Sequence, residues 1–190
     1  MCKVQDVADF FVDSALNDPD DNMTNLRVNK LLFFAQGWSL ARRNGKPLFN
    51  DDFFAWDLGP VIPEVYHRFK VAGRNKIQDV DNENYDENFS EEEAQLLIDV
   101  LRVYSKYSTG GLVDMTHRSG TPWSKVYEVH VNNVIPKKDI QAYFESLPVL
   151  ESFSMPVLSD NDFIGHRDEV TGHYVLPEEW ADGRQRHKAI

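Results

Sequence analysis

The chain has 190 residues, 42% of them hydrophobic and 12% aromatic, with a formal net charge of −11 and a pI near 4.9. That length supports one substantial core and is short for two. The acidity argues against a nucleic-acid partner held by a basic face, and the lone cysteine, Cys2, excludes an intramolecular disulfide.

Asp6, Asp9 and Asp13 interrupt the first turns, so neither a signal peptide nor a membrane span is expected, and a cytoplasmic location is. Residues 3–16 read as an amphipathic helix, with Val4, Val7, Ala8, Phe11 and Ala15 at helical spacing. The run 17–22, rich in Asx residues around Pro19, stops it. Thr24 or Asn25 then caps a central helix over about 24–44. Leu26, Val28, Leu31, Leu32, Phe33, Phe34, Ala35, Trp38, Leu40 and Ala41 project in almost every direction at ~100° per residue, which predicts burial at a domain centre. Asn29, Gln36 and Arg43 form a narrow polar stripe on it, and Asn44-Gly45 ends it.

Lys46 to Asp51 reads as a turn and Phe53 to Trp56 as a short aromatic strand or hairpin near 53–57, broken by Gly59-Pro60. Pro63 opens a helix with Val65, Tyr66 and Phe69 on its apolar side. Asp79 to Glu93 holds eight acidic residues and no Lys or Arg, and reads as an acidic loop leading into a capping box, Ser90 with Glu93. The helix that follows is expected to turn Ala94, Leu97, Ile98, Leu101, Tyr104 and Tyr107 inward. Gly110-Gly111 reads as a break, Leu112 to His117 as a short helix, Thr121-Pro122-Trp123 as a capped helix start, and Pro136 as the opening of a last helix with Ile140, Tyr143, Phe144 and Leu147 inward. The expected architecture is mainly α. A single compact helical domain, 1–150, surrounds the buried central helix, and a less regular, partly ordered extension, 151–190, follows it. In that extension His173 to Leu176 is a strand candidate.

No catalytic constellation emerges. No glycine-rich phosphate loop is present, and Cys2, at the chain terminus, gives no reason to expect a depressed pKa. His117 reads as a buried, backbone-bonded histidine in preference to a general base. His166 and His173 match no zinc spacing. No cofactor, metal or catalytic residue is assigned. Lys30 and Gln36, polar within a helix that asks for burial, are expected to anchor neighbouring loops by hydrogen bonds.

The run Lys30 to Trp38, then Gly45 to Phe49, then Ala55-Trp56 with Gly59-Pro60-Val61 and Pro63-Glu64-Val65-Tyr66, resembles the Panacea antitoxin domain, a phage- and mobile-element-associated family that includes SocA-like antitoxins. Thr116-His117, Pro122-Trp123 and Ile140 to Phe144 are similar to the family's second motif region. The resemblance spans about residues 3–148 and rests on Lys30, Gln36, Trp38, Trp56, Gly59, Pro60, Pro63, Tyr66, His117 and Trp123. It departs from the family pattern at Asp57 and at Ser119-Gly120-Thr121.

The resemblance implies a helical, non-enzymatic antitoxin that neutralises a cognate protein toxin by direct contact. The family's toxins are diverse, many acting on translation or tRNA, and SocA-like members also deliver their toxin to a protease. The alternative is a phage or prophage adaptor or inhibitor that binds a host factor or delivers a partner to a protease. Neither reading involves nucleic acid or membrane. The expected contact surface is the extension, with Phe163, Tyr174 and Trp180 as aromatic anchors, together with Asp86 and Glu87 of the acidic loop.

Overall fold

In the computed structural model the described residues are 1–16, 22–80 and 84–152, together with the backbone of 166–167 and 174–175. The chain divides into two compact units, Met1–Phe153 and Ser154–Ile190.

The first unit is assembled around one helix. The second of the seven α-helices among the described residues, α2 (Asn25–Arg42), has fifteen of its eighteen residues buried, so it has no solvent face. Thr24 caps it, its hydroxyl accepting from the Arg27 N–H at 3.3 Å. The helix ends two residues short of the expected limit. Asn44 (φ 51°) and Gly45 (φ 81°) leave right-handed space, and the Gly45 N–H returns to the Leu40 carbonyl at 2.8 Å.

Around it lie α1 (Val4–Leu16), α3 (Pro63–Arg68), α4 (Glu91–Tyr104), α5 (Thr109–His117) and α7 (Lys137–Glu145), while α6 (Pro122–Val126) packs beside α5 and α7. The α1 face predicted from spacing is the buried one, extended by Val12 and also by Asp6 and Asp9, acidic residues expected on the opposite side; Asp9 pairs with Arg68 of α3. At α7, Phe144 lies directly on Gly37 of α2.

A three-stranded antiparallel sheet covers one end. Its strands are β1 (Phe53–Trp56), β2 (Gly59–Val61) and β3 (Val134–Ile135), in the order β2-β1-β3. Gly59-Pro60 does not break the strand as expected but begins its partner, with Trp56 opposite Gly59 and Ala55 opposite Pro60. Proline is tolerated there because β2 is an edge strand.

Two further expectations need correction. Gly110-Gly111 lies within the first turn of α5, where the Ser108 hydroxyl accepts from the Gly111 N–H at 3.1 Å. On α4 the capping box is present, but the buried face is Glu93, Leu96, Leu97, Val100 and Tyr104, whereas Ile98 is exposed and Tyr107 lies beyond the helix end. Ion pairs set that rotation. Asp99, fully buried, meets Arg42 of α2 at 2.8 Å, and Glu93 meets Arg43 at 3.3 Å. Burial pushes the Glu93 carboxyl up, but bonds from the Ser90 N–H and hydroxyl, the N-terminal ammonium and Cys2 outweigh it and hold the group near 2.

In the second unit, β4 (His166–Arg167) pairs antiparallel with β5 (Tyr174–Val175), His166 opposite Val175. Among the described residues no helix is long and apolar enough to cross a membrane.

Candidate functional site

Polar side chains of α2 reach out to fix the segments that follow it. Gln36, fully buried, works as a clamp on the 46–51 turn. Its carbonyl accepts from the Leu48 N–H at 2.8 Å and the Phe49 N–H at 3.4 Å, and its amide donates to the Phe49 carbonyl at 2.8 Å. Ser39 donates to the Lys46 carbonyl at 3.0 Å. Asn29 accepts from the Ile62 N–H at 3.0 Å while donating to the Asn25 carbonyl. Lys30, also fully buried, donates its Nζ to the Pro60 carbonyl at 2.9 Å. Burial without a carboxylate partner among the described residues lowers its amine to about 7.

These last two bonds hold the β1–β2 hairpin from its inner side. Gly59 is required at this point: it sits at φ 100°, and a Cβ there would lie 2.7 Å from the Thr116 hydroxyl and 2.8 Å from Lys30 Cε.

The outer side of the same hairpin is held by a stack of rings from α5 and α6. His117 and Trp123 have ring centres 3.9 Å apart, and Trp123 and Tyr127 4.3 Å. Each ring reaches the strand end. Trp123 Nε1 donates to the Trp56 carbonyl at 2.8 Å, His117 Nε2 lies 3.1 Å from the Asp57 carbonyl, and the Tyr127 hydroxyl donates to the Asp57 carboxylate at 2.9 Å. That bond raises the Tyr127 phenol above its ordinary value. His117 is half-buried rather than fully buried, its Nδ1 turned to the Val113 carbonyl at 2.7 Å.

The hairpin so held forms one wall of an open groove of about 1100 Å³. Trp56 and Tyr66 pack edge to face at 4.9 Å along it, and Leu58, at the turn tip, is 57% exposed. Trp56 Nε1 is buried with no acceptor among the described residues. Lys70 and Arg74 line the groove from the segment after α3, and His130, in a left-handed turn at φ 65°, lines it from the loop before β3.

Of the ten residues that carry the resemblance, Trp56 and Tyr66 line this groove, and Lys30, Gly59, Pro60, His117 and Trp123 fix the hairpin beside it. Pro63 opens α3, which carries Tyr66. Gln36 serves the 46–51 turn instead, and Trp38 donates to the Tyr104 hydroxyl at 2.9 Å within the core. Asp86 and Glu87 lie in a 3-10 turn, Tyr85–Asn88, against α1 and outside the groove; its Tyr85 hydroxyl donates to Asp13 at 2.6 Å. Phe163 and Trp180 lie outside the described residues, and of Tyr174 only the backbone, in β5, is described. Sequence reasoning passed over Leu58, Lys70, Arg74 and His130. The available signal was Leu58, an aliphatic residue in the turn sequence Asp-Leu-Gly-Pro.

The family model described as antitoxin SocA-like, Panacea domain, matches residues 28–124. Antitoxin SocA of Caulobacter vibrioides (strain NA1000 / CB15N) is 32% identical over 135 residues, covering 63% of this chain and 68% of that protein. The chain belongs to the Panacea, SocA-like antitoxin family. No solved structure matches it. The matched span runs from within α2 into α6. It therefore contains the hairpin, Asn29, Lys30, His117 and Trp123 of its supports, and most of the groove, and it excludes Tyr127 and the second unit.

Proposed function

We propose that this Panacea protein is the antitoxin of a toxin–antitoxin pair and neutralises a cognate protein toxin, one acting on translation or tRNA, by direct binding and without catalysis of its own. The observation that carries this is the 32% identity to an antitoxin over 135 residues, 68% of that protein, beside a family match over residues 28–124 that takes in most of the groove lining. The polar and aromatic groups gathered there are used on backbone carbonyls and carboxylates of the chain itself. A rigid support for a surface is what such bonds provide.

The partner is encoded next to it in this reading. Co-expression of the chain with the product of the adjacent reading frame should restore growth, and the two should co-purify. Growth arrest that persists at equal expression, with no complex on gel filtration, sinks the proposal. The aromatic residues Phe163, Tyr174 and Trp180 are proposed as added contacts. Ending the chain after Ser152 keeps the buried Leu150 in place and removes all three. Undiminished neutralisation by that shorter chain removes them from the contact surface.

A further inference from the structure

We propose that the groove beside the β1–β2 hairpin is the docking site for an acidic, apolar-anchored segment of the partner protein; this rests on the antitoxin reading, and identifies where and by what chemistry the toxin is held. Three observations converge on it. The first is shape: an opening of about 1100 Å³ bounded by the hairpin, the segment after α3 and the loop before β3 is wide enough for a short stretch of chain with its side chains. The second is the apolar anchor. Leu58 is 57% exposed on a turn whose flanking backbone is held by His117, Trp123 and Lys30, and the edge-to-face pair Trp56–Tyr66 supplies the adjoining wall. An apolar side chain presented on a fixed backbone loses little freedom on binding.

The third observation is charge. In a chain of net charge −11, the groove is lined by Lys70 and Arg74, both exposed and neither facing a carboxylate among the described residues. The one carboxylate of the lining among the described residues, Asp57, already accepts from the Tyr127 hydroxyl. Two cations with no carboxylate partner among the described residues, on an acidic protein, select a segment bearing carboxylates and steer its approach. They fit other occupants less well. A second copy related by a two-fold axis would set Lys70 and Arg74 of both protomers into one interface. A nucleic-acid strand would find its phosphates repelled by the remaining surface.

The test uses the full chain and the co-expressed toxin. Lys70→Glu/Arg74→Glu and, separately, Leu58→Asp are compared with wild type and with Lys106→Glu, an exposed charge reversal outside the groove. Neutralisation is scored by growth, affinity by calorimetry at two salt concentrations, and folding by thermal unfolding. The expected result is normal unfolding for all four proteins, with at least about tenfold weaker binding for both groove variants and wild-type affinity for Lys106→Glu. Wild-type affinity should also fall with added salt, and that fall should vanish in the double reversal. Wild-type affinity in both groove variants overturns the proposal and leaves the antitoxin reading standing. A wild-type chain that forms no complex overturns both. Three results place a different occupant in the groove and overturn the proposal. These are a dimer that Leu58→Asp dissociates, a synthetic peptide of residues 154–190 that competes only when Lys70 and Arg74 are intact, and an oligonucleotide that binds tighter than the toxin.

Discussion

Gly37→Ala sets two effects of opposite sign against each other, and the structure decides between them. Gly37 lies inside α2, where alanine is the better helix former by about 1 kcal/mol. On propensity alone the substitution stabilises. A Cβ built at this position, however, would fall 2.2, 2.3 and 2.4 Å from three ring carbons of Phe144 on α7. Ordinary carbon contacts lie at about 3.5–4.0 Å, so ring or helix must retreat by more than an ångström. The ring has no open side to retreat into. Phe144 is fully buried, and Phe33, Phe34 and Trp38 surround it with centres 5.7, 6.1 and 5.3 Å away. Overpacking of this kind costs roughly 1–3 kcal/mol, with the upper end apt here. After the propensity gain, a net loss of about 2 kcal/mol remains, or some 4–8 °C in melting temperature for a chain of this size. Thermal unfolding by circular dichroism measures it. Combining Gly37→Ala with Phe144→Leu makes room for the methyl, so the double variant should lose less than the sum of the two singles. A Gly37→Ala protein that melts at or above wild type would refute the close α2–α7 contact and the assignment of Gly37 to it.

Gln36→Leu keeps the volume and removes the clamp, leaving the Leu48 N–H and the Phe49 carbonyl without the amide; urea unfolding should show a loss of about 2–4 kcal/mol, and a loss under 1 kcal/mol would count against the clamp. Lys30 carries a pH signature. Its amine titrates near 7 in the folded chain and near 10.5 when unfolded, so between those values only the unfolded chain holds the proton. Stability therefore rises with pH across that window at up to about 1.4 kcal/mol per unit and is flat below it. Subtracting the pH profile of Lys30→Met from that of wild type should isolate this slope, and parallel profiles from pH 7 to 10 would refute it. His117→Ala loses the bridge from α5 to Asp57 and one ring of the stack. It should cost about 2 kcal/mol and speed amide exchange at 57–59, and a variant that keeps full stability but loses neutralisation would move His117 from support to function.

What could be read from the sequence was whatever depends on residues close together along the chain. The helix α2 was legible because apolar residues on all sides leave only one stable location for it, and the Ser90–Glu93 box because both partners lie within one turn. The α4 face was misread because apolar spacing carries no record of Arg42 and Arg43, some fifty residues earlier, which draw Asp99 and Glu93 inward and leave Ile98 outside. Gly59-Pro60 was misread because proline ends a central strand but not an edge one, and which strand lies at the edge is a property of the sheet order, β2-β1-β3, that the local sequence does not carry. The groove is the extreme case. Its walls come from residues 22 to 132, and no local pattern joins Leu58 to Arg74 or His130.

The two kinds of residue at the groove stand in a definite physical relation. Lys30, Gly59, His117 and Trp123 contact the hairpin backbone, through carbonyl oxygens or through the space a missing Cβ leaves, so their demands do not depend on what the turn displays. Leu58, Lys70 and Arg74 point no bond at that framework and are exposed. A substitution at these three positions changes the apolar and charged character offered to a partner without reaching the bonds that hold the turn. A fold arranged in this way lets the displayed surface change while the turn that carries it stays fixed. The buried amine, the tight glycine and the ring stack secure the platform rather than the contact.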